Sequence, residues 1–176
     1  IDMVVTRGHV MSACTVDGCM IACRASTYQV EKALGDYFST IDVAAENSPQ
    51  QTVISLQKKD ADHTQELLKK HRIIHMKLDV SHPFHSRWMQ AAASAFHTAL
   101  TPFDPGLRAK QANSSSCEMI STVTGRLLDS ATFCDRNYLC EQIIRPVRFA
   151  TCIQQAVENN CSLMLEIGSQ PVLSKL

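Results

Sequence analysis

The segment Val80-Ser81-His82-Pro83-Phe84-His85-Ser86-Arg87-Trp88-Met89 marks a change of hydrophobic period along the chain. Upstream of it Ile74, Met76, Leu78 and Val80 recur at every second residue, which predicts a strand over 73–80 with these four on one face. Downstream Trp88, Met89, Ala92, Ala95, Phe96 and Ala99 recur at helical spacing, which predicts a helix over 86–100. Pro83 has no N–H with which to continue a ladder, so the changeover falls on the two histidines. A histidine held where a strand gives way to a helix can face a cleft and move protons near neutral pH. The spacing H-x-x-H is permissive when isolated, and histidines that merely cap or pack also satisfy it.

Toward the N-terminus, 19–24, 41–45 and 52–56 read as strands, the last two flanking the turn Asn47-Ser48-Pro49. Residues 28–38 read as a helix with Val30, Ala33, Leu34, Tyr37 and Phe38 on its inner side. A polar helix over 60–71 turns Leu67 and Leu68 inward and places Asp60 and Asp62 at its N-terminus, where the helix dipole favours them. With 73–80 the order is β-α-β-β-α-β, which predicts a ferredoxin-like subdomain over 18–81: two helices on one face of a four-stranded antiparallel sheet. Beyond the quoted segment the pattern continues with a strand at 118–122, helices at 136–144 and 149–159, and a strand at 162–166. Residues 112–116 read as a polar loop.

Composition narrows the function classes. The chain has 176 residues, of which 45% are hydrophobic, enough for a core. No apolar run approaches the roughly 18 residues of a membrane span. Lys plus Arg and Asp plus Glu each number 17, so no basic surplus points to nucleic acid or an anionic membrane. No secretory or transit segment is visible at the start, although an incomplete N-terminus would hide one. The eight cysteines are Cys14, Cys19, Cys23, Cys117, Cys134, Cys140, Cys152 and Cys161. Cys19 and Cys23 could suggest half a zinc site, but they sit in strand context without a second close pair. Among apolar neighbours free cysteine behaves as a small hydrophobe, which fits a reduced, cytoplasmic protein without a bound metal.

Six stretches together resemble one family. Val80 to Met89 is similar to the V-S-H-A-F-H-S-x-x-M motif of the acyltransferase domains of polyketide and fatty-acid synthases. Arg7-Gly8-His9-Val10-Met11 with Asp17-Gly18-Cys19-Met20-Ile21-Ala22 resembles its R-G-x-x-M…G-x-M-x-A stretch, and Ala45-Glu46-Asn47-Ser48-Pro49 with Val53-Ile54-Ser55 resembles A-x-N-S-P…x-V-x-S. Ser121-Thr122-Val123-Thr124-Gly125, then Tyr138 with Arg145-Pro146-Val147-Arg148-Phe149, then Leu165-Glu166-Ile167-Gly168 with Gln170-Pro171-Val172-Leu173 follow in the family's order. The resemblance covers essentially the whole chain. It implies a mixed α/β fold in which the ferredoxin-like subdomain is inserted into a larger α/β-hydrolase-like subdomain, here 1–17 and 82–176, with the active site in the cleft between them. Family members attack the thioester with a serine in a G-H-S-x-G elbow. No such elbow occurs here, and Gly8-His9-Val10-Met11-Ser12 has valine where the serine should stand. The expectation is therefore a partial domain whose nucleophile lies upstream, with Ser12 an ordinary helix residue.

The resemblance also implies roles. His85, the second histidine of the motif, would be the general base, and His82 would shape the pocket wall. Arg7 would grip the carboxylate of a malonyl group with its rigid fork of donors, unless it is simply an exposed helix arginine. Phe84 accompanies malonyl preference in the family, because an aromatic crowds out a branch methyl; packing in the core is its alternative. Pro83 departs from the usual alanine. Asn47 would contact substrate, and Gln142 would orient the histidine, if it does not face solvent. Malonyl-CoA would be the substrate, with no cofactor in the domain, and an acyl carrier protein with its phosphopantetheine arm would be the acceptor. Neighbouring ketosynthase and other synthase domains would be partners. Two other readings remain: an inactive acyltransferase relic, and a ferredoxin-like binding module that would need only 18–80.

Overall fold

Cys19, Ile21 and Cys23 alternate with Met20 and Ala22 along β1 (Gly18–Cys23), and this alternation builds two cores, one on each face of a sheet. The computed structural model describes residues 2–101, 118–133 and 135–175; Cys117, Cys134 and the loop expected at 112–116 lie outside the described residues. β1 pairs antiparallel with β3 (Gln51–Gln57) on one side, Ile21 opposite Ile54, and with β4 (His75–Lys77) on the other, Ala22 opposite Met76. β2 (Asp42–Ser48) closes the order β2-β3-β1-β4. With α2 (Thr27–Leu34) and α3 (Ala61–Lys70) this is the β-α-β-β-α-β unit read from the sequence.

One face is covered by the two helices. Ile21, Ile54 and Leu56 from the strands meet Val30, Leu34 and Leu68, all buried. α2 starts on a capping box: the Ser26 hydroxyl accepts the Gln29 N–H at 3.3 Å, and the Gln29 side chain accepts the Ser26 N–H at 2.9 Å. It stops at Leu34, short of the expected 38, because Gly35 takes φ +56° and breaks the ladder. The chain then winds through a 3-10 turn that still packs Phe38 against the core.

The other sheet face carries Met20, Ala44, Ala45 and Val53, against which Phe84 and Val147 of the second half pack. The strand expected over 73–80 is shorter than its pattern, and only Leu78 of its apolar side finds cover on this face. Ile74 and Met76 are exposed. β4 is an edge strand, and a period-2 pattern states which residues share a face, not whether that face is covered.

In the second half a 3-10 turn, Arg87–Met89, leads into α4 (Gln90–Ala99). Met89, Ala92, Phe96 and Leu100 interlock with Leu139 and Ile143 of the later helix Arg136–Ile144, and Met3, Val10 and Met11 of α1 (Asp2–Ser12) pack on them. Between these lie β5 (Met119–Ile120), β6 (Leu127–Leu128) and a short α5 (Ser130–Phe133), so Arg136–Ile144 is α6 and Phe149–Glu158 is α7. The strand expected at 118–122 shrinks to one side of this two-stranded hairpin, turned by Gly125 at φ +72°. Residues 162–166 form no strand: a strand requires a partner, and none lies beside them among the described residues, so Leu165 is 81% and Ile167 90% exposed. The carboxylate of Glu166 instead accepts the N–H groups of Val172, Leu173 and Ser174, which pulls its pKa down to about 2.

Among the described residues no helix is long and apolar enough to cross a membrane, and Cys14, Cys19, Cys23, Cys140, Cys152 and Cys161 are free thiols. Cys19 and Cys23 face the helix-covered core; burial pushes the Cys23 thiol up to about 12 and raises Cys19 as well. Both are un-ionised fillers of that core.

Candidate active site

Pro83 sets the shape of the histidine loop. It is fully buried and rests on Gly18 at the start of β1, where a Cβ would come within 2.3 Å of its ring. Only a glycine there admits the proline that replaces the family's alanine. The Ser86 hydroxyl turns back to donate to the Pro83 carbonyl, closing the loop into a tight turn. At its centre His85 adopts φ +56°, a left-handed conformation that costs a non-glycine residue roughly 1–2 kcal/mol and persists only where the surroundings impose it.

The imidazole is fixed from the end of α6. The His85 N–H donates to the Ile143 carbonyl at 3.2 Å, and its Nδ1 meets the Arg145 carbonyl at 3.1 Å. A carbonyl only accepts, so Nδ1 carries the proton and Nε2 keeps a free lone pair. The group that meets the ring is thus a main-chain carbonyl. It belongs to Arg145, though, and Gln142 adds to it through its own main chain and not its side chain. Burial is the main influence lowering the pKa of His85; the Arg145 carbonyl opposes it, and the positive charge of Arg7 lowers it further. The outcome is a histidine held neutral near physiological pH with its basic nitrogen available.

The acceptor strip is itself anchored. Val147 donates its N–H to Ala44 and accepts from the N–H of Glu46, both at 2.9 Å, which ties Pro146-Val147-Arg148 to β2. The Arg148 N–H donates to Thr122 at 2.8 Å, and Tyr138 donates its hydroxyl to Ser121 at 2.7 Å. The S-T-V-T-G stretch and Tyr138 are therefore braces for the wall that holds His85.

His82 is differently placed. Its Nε2 donates to the Cys14 carbonyl at 2.7 Å, and its Nδ1 accepts from Ser81 at 2.8 Å, so neither nitrogen is available as a base. It fastens the loop to the segment linking α1 and β1, and its ring lies 5.6 Å from that of Phe84. Phe84 is half-buried at the meeting of the two cores on this side of the sheet.

Arg7 on α1 is also half-buried, and its Nε has no hydrogen-bond partner among the described residues. Burial pulls its pKa below the ordinary arginine value, yet guanidinium stays charged at any physiological pH. A buried donor of this kind left unpaired costs about 1–3 kcal/mol, more when charged, and an incoming carboxylate would relieve it. Asn47 lies in a bulge of β2 between the pairs Glu46–Thr52 and Ser48–Gln51, and no described contact joins it to His85 or Arg7. A cavity of about 300 Å³ opens beside it, lined by Ser26, Thr27, Glu46, Ser48 and Thr52, but Thr27 and Glu46 hydrogen-bond each other there. Ser12 is exposed at the end of α1. The geometry thus joins His85 to the Arg145 carbonyl within the influence of the Arg7 charge, sets Phe84 beside His82, and leaves Asn47 apart. No sequence signal marks Arg145 for this purpose, because a main-chain acceptor leaves no trace in residue type.

The sequence profile described as "Acyl transferase domain" matches residues 1–176. The naringenin synthase of Pestalotiopsis fici is 29% identical over 177 residues, covering 98% of this chain and 6% of that protein. The acyltransferase domain from the second module of the salinomycin polyketide synthase superposes with a TM-score of 0.81 at 27% identity, over 98% of this chain and 39% of that one. Malonyl CoA-acyl carrier protein transacylase from Burkholderia pseudomallei superposes with a TM-score of 0.80 at 27% identity, over 98% of this chain and 59% of that one. The chain therefore spans a small part of that synthase and less than two thirds of the solved domain and of the transacylase.

Proposed function

The chain belongs to the acyl transferase domain family, and from that premise we propose that it forms the base-bearing and substrate-gripping part of a site that moves a malonyl group from coenzyme A to an acyl carrier protein. The observation that carries this reading is the Nδ1–H of His85 on the Arg145 carbonyl, which leaves Nε2 free as a base beside the charge of Arg7. In the proposed cycle a serine from a segment upstream of Ile1 attacks the thioester carbonyl while Nε2 of His85 takes its proton. The tetrahedral adduct expels the coenzyme A sulfur, which leaves with that proton as thiol. In the second half the phosphopantetheine thiol gives its proton to His85 and attacks the serine ester; the serine oxygen departs and recovers the proton. No cofactor enters either step. Arg7 would pair with the malonyl carboxylate throughout.

The 176-residue chain by itself should then take up no covalent label from radioactive malonyl-CoA, whereas the same chain joined to a segment carrying a G-H-S-x-G serine should be labelled on that serine. Stable labelling of Ser12 or of any cysteine would place the nucleophile elsewhere and sink the scheme.

Phe84 would set extender selectivity. If its ring fills the space a 2-methyl group needs, the joined domain prefers malonyl-CoA to methylmalonyl-CoA, and Phe84→Ser narrows the ratio of kcat/KM by about 1–3 kcal/mol, the worth of one methyl in an apolar pocket. The half-buried position of Phe84 at the junction of two cores supports a ring that reaches the site. Competition between the two thioesters for limiting enzyme measures it; an unchanged ratio would return Phe84 to the role of a packing residue.

A further inference from the structure

Two residues outside the histidine loop hold it from the sheet. Asp42 of β2 and Ser55 of β3 are directly opposed in the antiparallel register, so their side chains rise from the same face, and both reach the loop. Ser55 is completely buried, and its hydroxyl donates to the Phe84 carbonyl at 2.6 Å. That carbonyl and the His85 N–H belong to one peptide group, and the N–H donates on the opposite side to Ile143. The peptide plane entering His85 is thus pinned at both ends. On the far side of His85, Asp42 accepts the Arg87 N–H through Oδ2 at 2.6 Å and takes the guanidinium through Oδ1, with Nε at 2.8 Å. Arg87 also donates to the Ile41 carbonyl at 3.1 Å.

We propose that Asp42 and Ser55 are positioning residues for the His85 base, clamping the backbone on its two flanks so that it stays in the left-handed conformation that points its ring at the Arg145 carbonyl. The sequence supports the reading. Ser55 is a buried hydroxyl flanked by Ile54 and Leu56 in β3, and such a hydroxyl survives there only with a partner worth keeping. Released from the clamp, His85 would relax toward a negative φ, its ring would leave the Arg145 carbonyl for solvent, and Nδ1 would no longer be held as the protonated nitrogen. Neither residue touches reacting atoms. They act through the backbone.

The role of the clamp in turnover rests on the transferase reading, so the test has a readout that does not. In Ser55→Ala and Asp42→Ala the imidazole of His85, followed by NMR through its Cε1 proton, should titrate at higher pH than in the parent, moving toward its ordinary value of 6.5 as the ring becomes solvated. Arg7 is the charged group acting on that ring and is kept in every variant. In the serine-bearing domain both variants should lose about 10- to 100-fold in kcat for acyl-enzyme formation with KM for malonyl-CoA within twofold, since a displaced base slows the chemistry and not the binding. Ser55→Thr, which keeps a hydroxyl, should recover most of that loss. If Ser55→Ala fails to fold by circular dichroism, Asp42→Ala opens the clamp from the other flank of His85 and should by itself give the same shifts. An unmoved titration together with unchanged kcat in the folded variants would overturn the proposal. Should the parent domain form no acyl-enzyme, the transferase reading fails, and the titration alone decides whether the clamp holds His85.

Discussion

Replacing His85 with alanine in the serine-bearing domain should reduce acyl-enzyme formation from malonyl-CoA by at least 10²–10⁴-fold, the usual contribution of a positioned general base. The expectation rests on a tautomer. Because the Arg145 carbonyl can only accept, the neutral imidazole that keeps this contact carries its proton on Nδ1 and presents Nε2 as the base. The pH profile adds a second check with a definite sign. Burial and the charge of Arg7 both disfavour the imidazolium, so the folded pKa lies below the ordinary 6.5, and the basic form persists to lower pH than in a free histidine. The acid limb of kcat/KM should accordingly fall below pH 6.5 and disappear in the alanine variant. Rapid-quench measurement of the acylation step across pH tests both statements. A His85→Ala domain that acylates within tenfold of the parent would remove His85 from the proton path.

The legible parts of the fold are those whose information is local. The apolar run at 19–24 and the run at 52–56 beyond the turn Asn47-Ser48-Pro49 marked β1 and β3, and the covered stripe of Val30, Ala33 and Leu34 marked α2, because each is buried by elements the sequence itself supplies. The misses have a different physical origin. Gly35 ended α2 early, which a glycine three residues before a half-buried phenylalanine did not announce. Residues 162–166 carry a short apolar run but find no partner among the described residues, and pairing is not a property of one segment. β6 went unread because two residues are too few to show a period.

At the site the roles expected of His85, Arg7 and Phe84 came from the family resemblance; the structure sets His85 on the Arg145 carbonyl within the influence of the Arg7 charge, and their functional roles remain the proposals made above. Gln142 was singled out by its place in the family's pattern, whereas the acceptor that meets the ring is the Arg145 main chain three residues on. Asp42 and Arg87 lie 45 positions apart, and their ion pair becomes visible only once the antiparallel register brings the start of β2 under the loop. Pro83 reads as a departure until Gly18 is seen beneath it.

Arg7→Ala should divide substrates by charge. A guanidinium that is half-buried with an unpartnered Nε is prepared for an anion, and removing one partner of such a desolvated pair costs on the order of 2–5 kcal/mol, or roughly 30- to several thousand-fold in kcat/KM for malonyl-CoA. Acetyl-CoA has no carboxylate, gains nothing from Arg7, and should be turned over at a similar or relatively improved rate by the variant. The same substitution removes the positive charge that lowers the pKa of His85, so with acetyl-CoA the acid limb should move to higher pH in the variant. With malonyl-CoA in the parent, the bound carboxylate would itself neutralise Arg7, and the limb for kcat should lie above the limb for kcat/KM for the same reason. The measurement is steady-state transfer from each thioester across pH. Equal losses for malonyl-CoA and acetyl-CoA, with the acid limb unmoved, would mean that Arg7 supports the packing of α1 on α4 and does not bind the carboxylate.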